Sequence, residues 1–519
     1  MNRQLYFIEN MEHKMARIQR FFSSWAVSGI IAINMLAIAS FADAGPIVLH
    51  SVEIEVTGEE TLVLPDLDGD GVAELGLAYL STSDNKVNLQ IVSGSDLSII
   101  RLISWNNIYN STSFHLLPDL NGNGTAEIGV FGTRNDGANA GKAQLFARDL
   151  MSGGMARVFN WPSNWQFAKA IVLDDISGDG IIEIALQGRF KEGDRPQLVV
   201  RSGVDNSSVR TYSYPDLFND PTYYQHSDSN GDGIPEIATL GRIKRNNKIQ
   251  VKIADGTNSN NRLKAYNFPD KWSDISWVNV GDKNGDSIDD WGLFGINKLD
   301  NRPQLIVKDG KNPVGAIRIF AWSEDLSSPL FYQIPDMNGD GVDDVAVGGL
   351  RSNGRYQFQV KDGADRNKSL ANHNLSLDLK DVTFHVLSDL TGDGIAEIGF
   401  LGLNSANQFT LIVQNGDPQN TESENKTAIE YLFRDAWVAV PDLTILDDIN
   451  SNGLAELLVS GNRSADSKMQ ILSIPDSDND SYADTLDAFP SDDTEWLDTD
   501  KDDIGNNTDE DDDGDGIDD

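Results

Sequence analysis

The chain has 519 residues, 39% of them hydrophobic, with ten Trp, enough apolar material for a large core and too much length for one small domain. Its 81 acidic residues against 41 Lys plus Arg give a formal net charge of -40, which repels phosphate backbones and anionic membrane surfaces and invites cations. There is no cysteine, which excludes disulfides, thiolate metal sites and a Cys nucleophile.

The N-terminus comes first. Lys14, Arg17 and Arg20 precede an apolar run from Trp25 to Ala39 that ends in Ala42-Asp43-Ala44. This is the order of a secretory signal peptide over residues 1–44, with translation starting as far in as Met11 or Met15. Ser28 and Asn34 interrupt the run, which falls short of the roughly 20 apolar residues that span a bilayer. The expected location is therefore secreted or cell surface, with no stable membrane span after cleavage.

From residue 45 to 474 an acidic nonapeptide recurs eight times, beginning at Asp66, Asp119, Asp175, Asp228, Asp282, Asp336, Asp389 and Asp448, at intervals of 53 to 59 residues. So long a period means stacked supersecondary units, none able to bury its own apolar face alone. Each unit carries four strand signals. An apolar stretch such as Phe114–Leu117 leads into the nonapeptide and a second, such as Ile128–Phe131, leaves it. A third, such as Gln304–Val307, runs into a turn dipeptide such as Ser93-Gly94, Asp255-Gly256 or Asp362-Gly363, which the spacing predicts to be a tight hairpin with positive φ. The fourth is rich in aromatics, as in Arg157–Trp161 and Arg210–Tyr214. Four strands per repeat predict an all-β, eight-bladed propeller, with a seven-bladed ring as the alternative. The eighth repeat lacks a fourth strand, and Ile47–Val56 is a spare one; it is expected to complete that blade and close the ring, removing exposed edges.

The nonapeptide has oxygen side chains at positions 1, 3 and 5, usually glycine at 6, and an acid at 9. Loop one supplies Asp66, Asp68, Asp70 and Glu74, loop two Asp119, Asn121, Asn123 and Glu127, loop three Asp175, Ser177, Asp179 and Glu183, and loop four Asp228, Asn230, Asp232 and Glu236. Loop five supplies Asp282, Asn284, Asp286 and Asp290, with Ser287 in place of the glycine, and loop six Asp336, Asn338, Asp340 and Asp344. Loop seven supplies Asp389, Thr391, Asp393 and Glu397, and loop eight Asp448, Asn450, Asn452 and Glu456. Carboxylates so spaced repel one another unless a hard cation gathers them, and Ca²⁺ takes six to eight oxygens. An EF-hand is excluded because its twelfth position, which needs a bidentate Glu, is Leu77, Val130, Leu186, Thr239, Leu293, Val347, Phe400 and Val459. Position 10 is always apolar, so the loop joins two strands.

This D-x-[D/N]-x-[D/N]-G-x-x-[D/E] loop between strands resembles the FG-GAP or VCBS repeat of integrin α-subunit propellers and many bacterial surface proteins. Phe131-Gly132 and Phe294-Gly295 keep the eponymous dipeptide. The resemblance implies that positions 1, 3, 5 and 9 hold calcium with side chains and position 7 with a backbone oxygen. By charge alone, loops one, four and six are expected to fill before two and eight.

Residues 475–519 form an acidic tail, with twenty acids and Lys501 as the one basic residue from Asp476 onward. Asp476, Asp478, Asp480 and Asp484 repeat the 1, 3, 5, 9 spacing, as do Asp511, Asp513, Asp515 and Asp519, and Asp498, Asp500 and Asp502 begin a further copy. The stretch resembles bacterial thrombospondin type 3 repeats, which implies order imposed by bound calcium. Ending on the last acid of a copy, it is expected to continue in the natural polypeptide or to reflect a truncated gene model.

No H-E-x-x-H, G-x-S-x-G or Walker A loop occurs, and His115, His226 and His385 fall on strand positions. The expected function is a non-enzymatic, calcium-binding adhesion or ligand-binding scaffold, monomeric, with an extracellular protein or glycan as partner and no nucleic acid. The alternatives are a lyase-like polysaccharide-degrading propeller, which needs an Arg or Lys beside a Tyr or His in a central pocket, and a structural surface-layer component.

Overall fold

A computed structural model describes residues 47–516 except 55–57, 82–83, 163–164, 192–194, 215–216, 313–314, 324, 376–378, 391–393, 419–426, 436, 447, 464–465, 485–486, 513 and 515. The segment read as a signal peptide, residues 1–44, lies outside the described residues, as do the tail positions Asp513, Asp515 and Asp519.

The chain forms eight four-stranded antiparallel sheets, and the one helix among the described residues is a single 3-10 turn at Gly137–Asn139. Seven sheets are built from consecutive strands, as in Trp165–Leu173, Glu183–Phe190, Arg195–Ser202 and Ser208–Ser213 of the third blade. The eighth takes Asp442–Ile445, Leu457–Asn462 and Ser467–Ser473 from the C-terminal end and Ile47–Ile54 from the other. Ile47 pairs with Ser473 and Ile54 with Ser467, so the N-terminal strand does close the ring as an outer strand.

Eight apolar clusters occupy the eight seams between blades. Leu89, Ile103 and Trp105 of blade one meet Phe114, Ile128 and Val130 of blade two, and at the closing seam Leu458, Met469 and Ile471 of blade eight meet Leu75, Leu77 and Tyr79 of blade one. A blade is thus covered on both faces. Its second strand is apolar on both, as in the wholly buried Leu75–Tyr79, whereas the outer strand is largely exposed and alternates.

The turns between third and fourth strands depart from expectation. Gly94, Gly203, Gly256, Gly310, Gly363 and Gly416 are absent from the left-handed residues; those are Leu97, Asn206 and Gly315, later in longer turns. The glycines serve close approach instead. A Cβ at Gly94 would meet the Ala73 carbonyl oxygen at 1.9 Å, and one at Gly310 that of Asp289 at 2.0 Å. Each such turn therefore lies directly on the acidic loop of its own blade, on one face of the ring.

Candidate metal centre

Each acidic loop is wound around its first residue. In loop one the Asp66 carboxylate accepts the N–H of Gly69 at 2.6 Å and of Gly71 at 3.0 Å. Asp119, Asp175, Asp228, Asp282 and Asp336 accept the same two amides in loops two to six. Asp389 and Asp448 accept from Gly394 and Gly453. Winding this tight demands left-handed backbone at positions 4 and 6, met by Gly69 and Gly71 at φ +85° and +90°. Position 4 escaped the sequence reading, although glycine fills it in loops one to seven. Ser287 at φ +65° and Ser451 at +62° adopt the same conformation against their side chains' preference.

The winding gathers the side chains. Carboxylate oxygens of Asp66, Asp68 and Asp70 lie within 4.8 Å of one another, as do those of Asp175, Asp179 and Glu183. Thr391 and Asp393 of loop seven lie outside the described residues.

The acid at position 9 is fully buried in all eight loops, at the start of or just before the second strand. One of its oxygens accepts the N–H of position 2 at 2.6–2.9 Å, from Leu67 to Glu74 through Ile449 to Glu456. Its other oxygen divides the loops. Glu74 Oε2, Glu183 Oε1, Glu236 Oε1 and Glu456 Oε1 are buried without a hydrogen-bond partner. In loop two the Asn121 amide donates to Glu127 at 2.6 Å. In loops five and six Gly310 N–H donates to Asp290 at 3.0 Å and Gly363 N–H to Asp344 at 2.8 Å. The order expected from charge alone differs from this division, since loop six is closed and loop eight is open.

Burial pushes these carboxyls up, Glu127 and Glu236 to about 7, Asp290 and Asp344 to about 6, and Glu74, Glu183 and Glu456 in the same direction. A buried carboxylate oxygen without a donor is costly unless a cation meets it. The donors on offer are carboxylate, amide and hydroxyl oxygens, a set that suits a hard ion such as Ca²⁺ or Mg²⁺ over a softer one. The residues of loops one and three therefore fit a divalent cation, while loops four and eight share the orphaned position-9 oxygen without a gathered set of three carboxylates.

The tail repeats the construction. Asp476 accepts from Asn479 and Ser481 N–H at 2.8 and 3.0 Å, and Asp484 accepts Ser477 N–H at 2.7 Å. Asp476, Asp478 and Asp480 cluster, with Asp478 Oδ2 and Asp480 Oδ2 buried and unpartnered. Asp498, Asp500 and Asp502 form another triad, and Asn506 completes it at position 9, its Oδ1 accepting Thr499 N–H at 2.9 Å. The sequence reading missed Asn506 because it looked for an acid there; the spacing of eight residues from Asp498 was the available signal. Asp511 accepts Gly516 N–H at 2.8 Å.

A second missed group is basic. Arg157, Arg210, Lys264 and Arg318, each in or beside the outer strand of its blade, donate to the position-2 carbonyls of Leu120, Ile176, Ser229 and Lys283. They tie the outer strand to the acidic loop without touching its carboxylates. His226 ends a strand and stacks on Trp291 at 4.6 Å, while His115 and His385 sit in first strands beside Ser113 and Thr383 hydroxyls at 3.1 and 3.0 Å.

The first strands of blades six to eight line a cavity of about 440 Å³ bounded by Tyr332, Gln333, Phe384, His385, Leu443 and Thr444. No Arg or Lys is among its described lining residues. Among the described residues no helix is long and apolar enough to cross a membrane.

The chain matches no protein-family model and no curated protein. Among solved structures it is similar to the Dos1 propeller, at 13% identity and a TM-score of 0.46 over 83% of this chain and 96% of that one. It is also similar to Sqt1 from Chaetomium thermophilum bound to the N-terminus of the ribosomal protein L10, at 9% identity and a TM-score of 0.41 over 80% of this chain and 96% of that one. The WD40 domain of Toxoplasma gondii coronin is a third, at 11% identity and a TM-score of 0.38 over 74% and 91%.

Proposed function

We propose that this chain is an exported, calcium-stabilised propeller that presents a binding surface to a protein or glycan outside the cell. The observation that carries the reading is the buried, unpartnered position-9 oxygen of Glu74, Glu183, Glu236 and Glu456, each beside further oxygen donors of its own loop. In loop one Asp66, Asp68, Asp70 and Glu74 would hold the ion, in loop three Asp175, Ser177, Asp179 and Glu183, in loop four Asp228, Asn230, Asp232 and Glu236, and in loop eight Asp448, Asn450, Asn452 and Glu456. Bound there, the ion supplies charge neutralisation and cross-links the first two strands of a blade.

With the metal committed to one face, the edges and the opposite face of the ring are left for ligands. Export rests on the N-terminal residues: three cations, an apolar run and small residues before Gly45. A scaffold is favoured over a lyase because the cavity between the first strands of blades six to eight offers Tyr332 and His385 with no Arg or Lys among its described lining residues to neutralise a sugar carboxylate. A glycan and matrix-protein array probed in 2 mM calcium and in excess EDTA tests the reading. A calcium-dependent ligand supports it; catalytic turnover of a polysaccharide, or identical binding without calcium, overturns it.

A further inference from the structure

Loop five carries a lysine where the other seven loops have Leu67, Leu120, Ile176, Ser229, Met337, Leu390 and Ile449. Lys283 is only 2% exposed, a burial that lysine almost never reaches. Its Nζ does not turn out to solvent. It crosses the seam into blade six, donates to the Asp343 carbonyl, and would lie 3.2 Å from a Cβ on Gly363. The acids whose charge bears on it include Asp343, Asp344 and Asp290, the last two being the position-9 acids of loops six and five.

Those two loops differ from the rest in a second way. They alone in the ring use Asp at position 9, where the other six use Glu. Gly310 N–H takes the second oxygen of Asp290 and Gly363 N–H that of Asp344. Both oxygens of Asp290 and of Asp344 are thus satisfied by the protein itself, and the Lys283 ammonium bears on their charge from its place on the Asp343 carbonyl, with no ion pair to either carboxylate among the described residues. In loops one, three, four and eight the equivalent oxygen is buried and bare.

We infer that Lys283 is a built-in cation that takes the place of metal at the seam between blades five and six, so that loops five and six keep their fold without calcium while loops one, three, four and eight require it. The inference rests on the cation reading of the open loops and adds to it a fixed, metal-independent sector of the ring. Opening of the ring on calcium loss then starts elsewhere, at the seams where two open loops lie on adjacent blades: loops eight and one, and loops three and four.

Hydrogen exchange read by mass spectrometry on the full chain, in excess EDTA and in 2 mM calcium, tests this. Amides at 67–71, 176–180, 229–233 and 449–453 are expected to exchange at least tenfold faster in EDTA, and those at 283–287, 337–341, 310 and 363 within twofold of their rate in calcium. Lys283→Met, which copies loop six, should speed exchange at 310 and 363 at least tenfold in either buffer, and Lys283→Arg, which keeps the charge, should speed it less than Lys283→Met. Should Lys283→Met fail to fold, the contrast between sectors in the unmodified chain decides. Loops five and six responding to EDTA as strongly as the other four, or Lys283→Met leaving 310 and 363 unchanged, would overturn the inference while leaving the calcium reading intact. No response to EDTA anywhere would instead overturn the calcium reading and this division with it.

Discussion

Ser481 of the tail is pressed against Gly453 of loop eight so closely that a Cβ on the glycine would meet the serine Oγ at 2.4 Å. The tail is therefore seated on the ring at its start, and Ala483 is buried in the cluster of Leu454, Leu472 and Ile474. Tyr482 then stacks on Trp496 at 5.1 Å, linking the first tail loop to the next.

Gly453 and Gly71 occupy position 6 of their loops at φ +87° and +90°, but a Cβ on Gly71 meets nothing within 4 Å. Gly71→Ala therefore isolates backbone strain, about 1–2 kcal/mol, while Gly453→Ala adds the collision with Ser481. Denaturant melts should show Gly453→Ala as the costlier change, and limited proteolysis should cut its tail first. Equal costs with an unaltered tail would show that the tail does not depend on this contact.

Ser287 stands at position 6 of loop five with φ +65°. Because glycine reaches that region without a Cβ clash, Ser287→Gly is expected to stabilise the protein by about 1 kcal/mol. The Ser287 N–H donates to Asp282 at 2.7 Å and glycine retains that bond. Denaturant melts of the variant check the sign, and a loss of stability would mean that the hydroxyl has a role of its own.

Removing residues 47–54 is expected to leave Ser467–Ser473 as a bare sheet edge, since that strand pairs with Ile47–Ile54 along its length. Light scattering should detect association of the shortened chain, and an unchanged monomer would mean that blade eight is stable with three strands.

Spacing along the chain carried most of this architecture. The period of the acidic loops, the four strand signals between them and the unmatched strand at Ile47 are all local or periodic, and each was legible. What lay across a seam was not. Lys283 reads as one charged residue inside an acidic loop, and only the ring shows it entering blade six. Gly94 reads as a turn glycine, although the reason for it is the Ala73 carbonyl in another part of the blade. The division of the loops by the second oxygen of position 9 was also hidden, because Glu74 and Glu127 are the same residue at the same position. They differ in that Asn121 turns its amide onto the latter.

His385 adds a dependence on acid that is separate from the loops. Burial pulls its pKa from an ordinary value near 6.5 down to about 4. The folded state thus resists protonation that the unfolded chain accepts, so stability is full above about pH 6.5, falls as pH drops from there towards about 4, and levels off below. His385→Gln should remove on the order of 2 kcal/mol of that loss after allowance for partial exposure. The measure is the difference between wild type and variant at pH 7.5 and 4.5 in EDTA, which cancels the carboxylates common to both. A variant with the full acid loss would place the sensitivity elsewhere.

Calcium held at the open loops would bear on the stability of the whole ring. A site filled at about ten times its Kd gains about 1.4 kcal/mol. Four open ring loops filled to that degree would together gain about 6 kcal/mol, within the range of a domain's whole stability. Removing calcium should therefore lower the melting temperature by more than ten degrees. Glu74→Gln and Glu236→Gln should each abolish part of that shift, because they replace the oxygen that nothing in the protein satisfies. Glu127→Gln should change it little, since the oxygen it alters is already held by Asn121. Asp68→Ala should cost more than Asn121→Ala in calcium, because Asp68 belongs to the tight triad of loop one. Calorimetry with and without calcium measures all of these, and a melting curve indifferent to rigorous calcium removal would reduce the open carboxylates to turns that the fold tolerates at a cost.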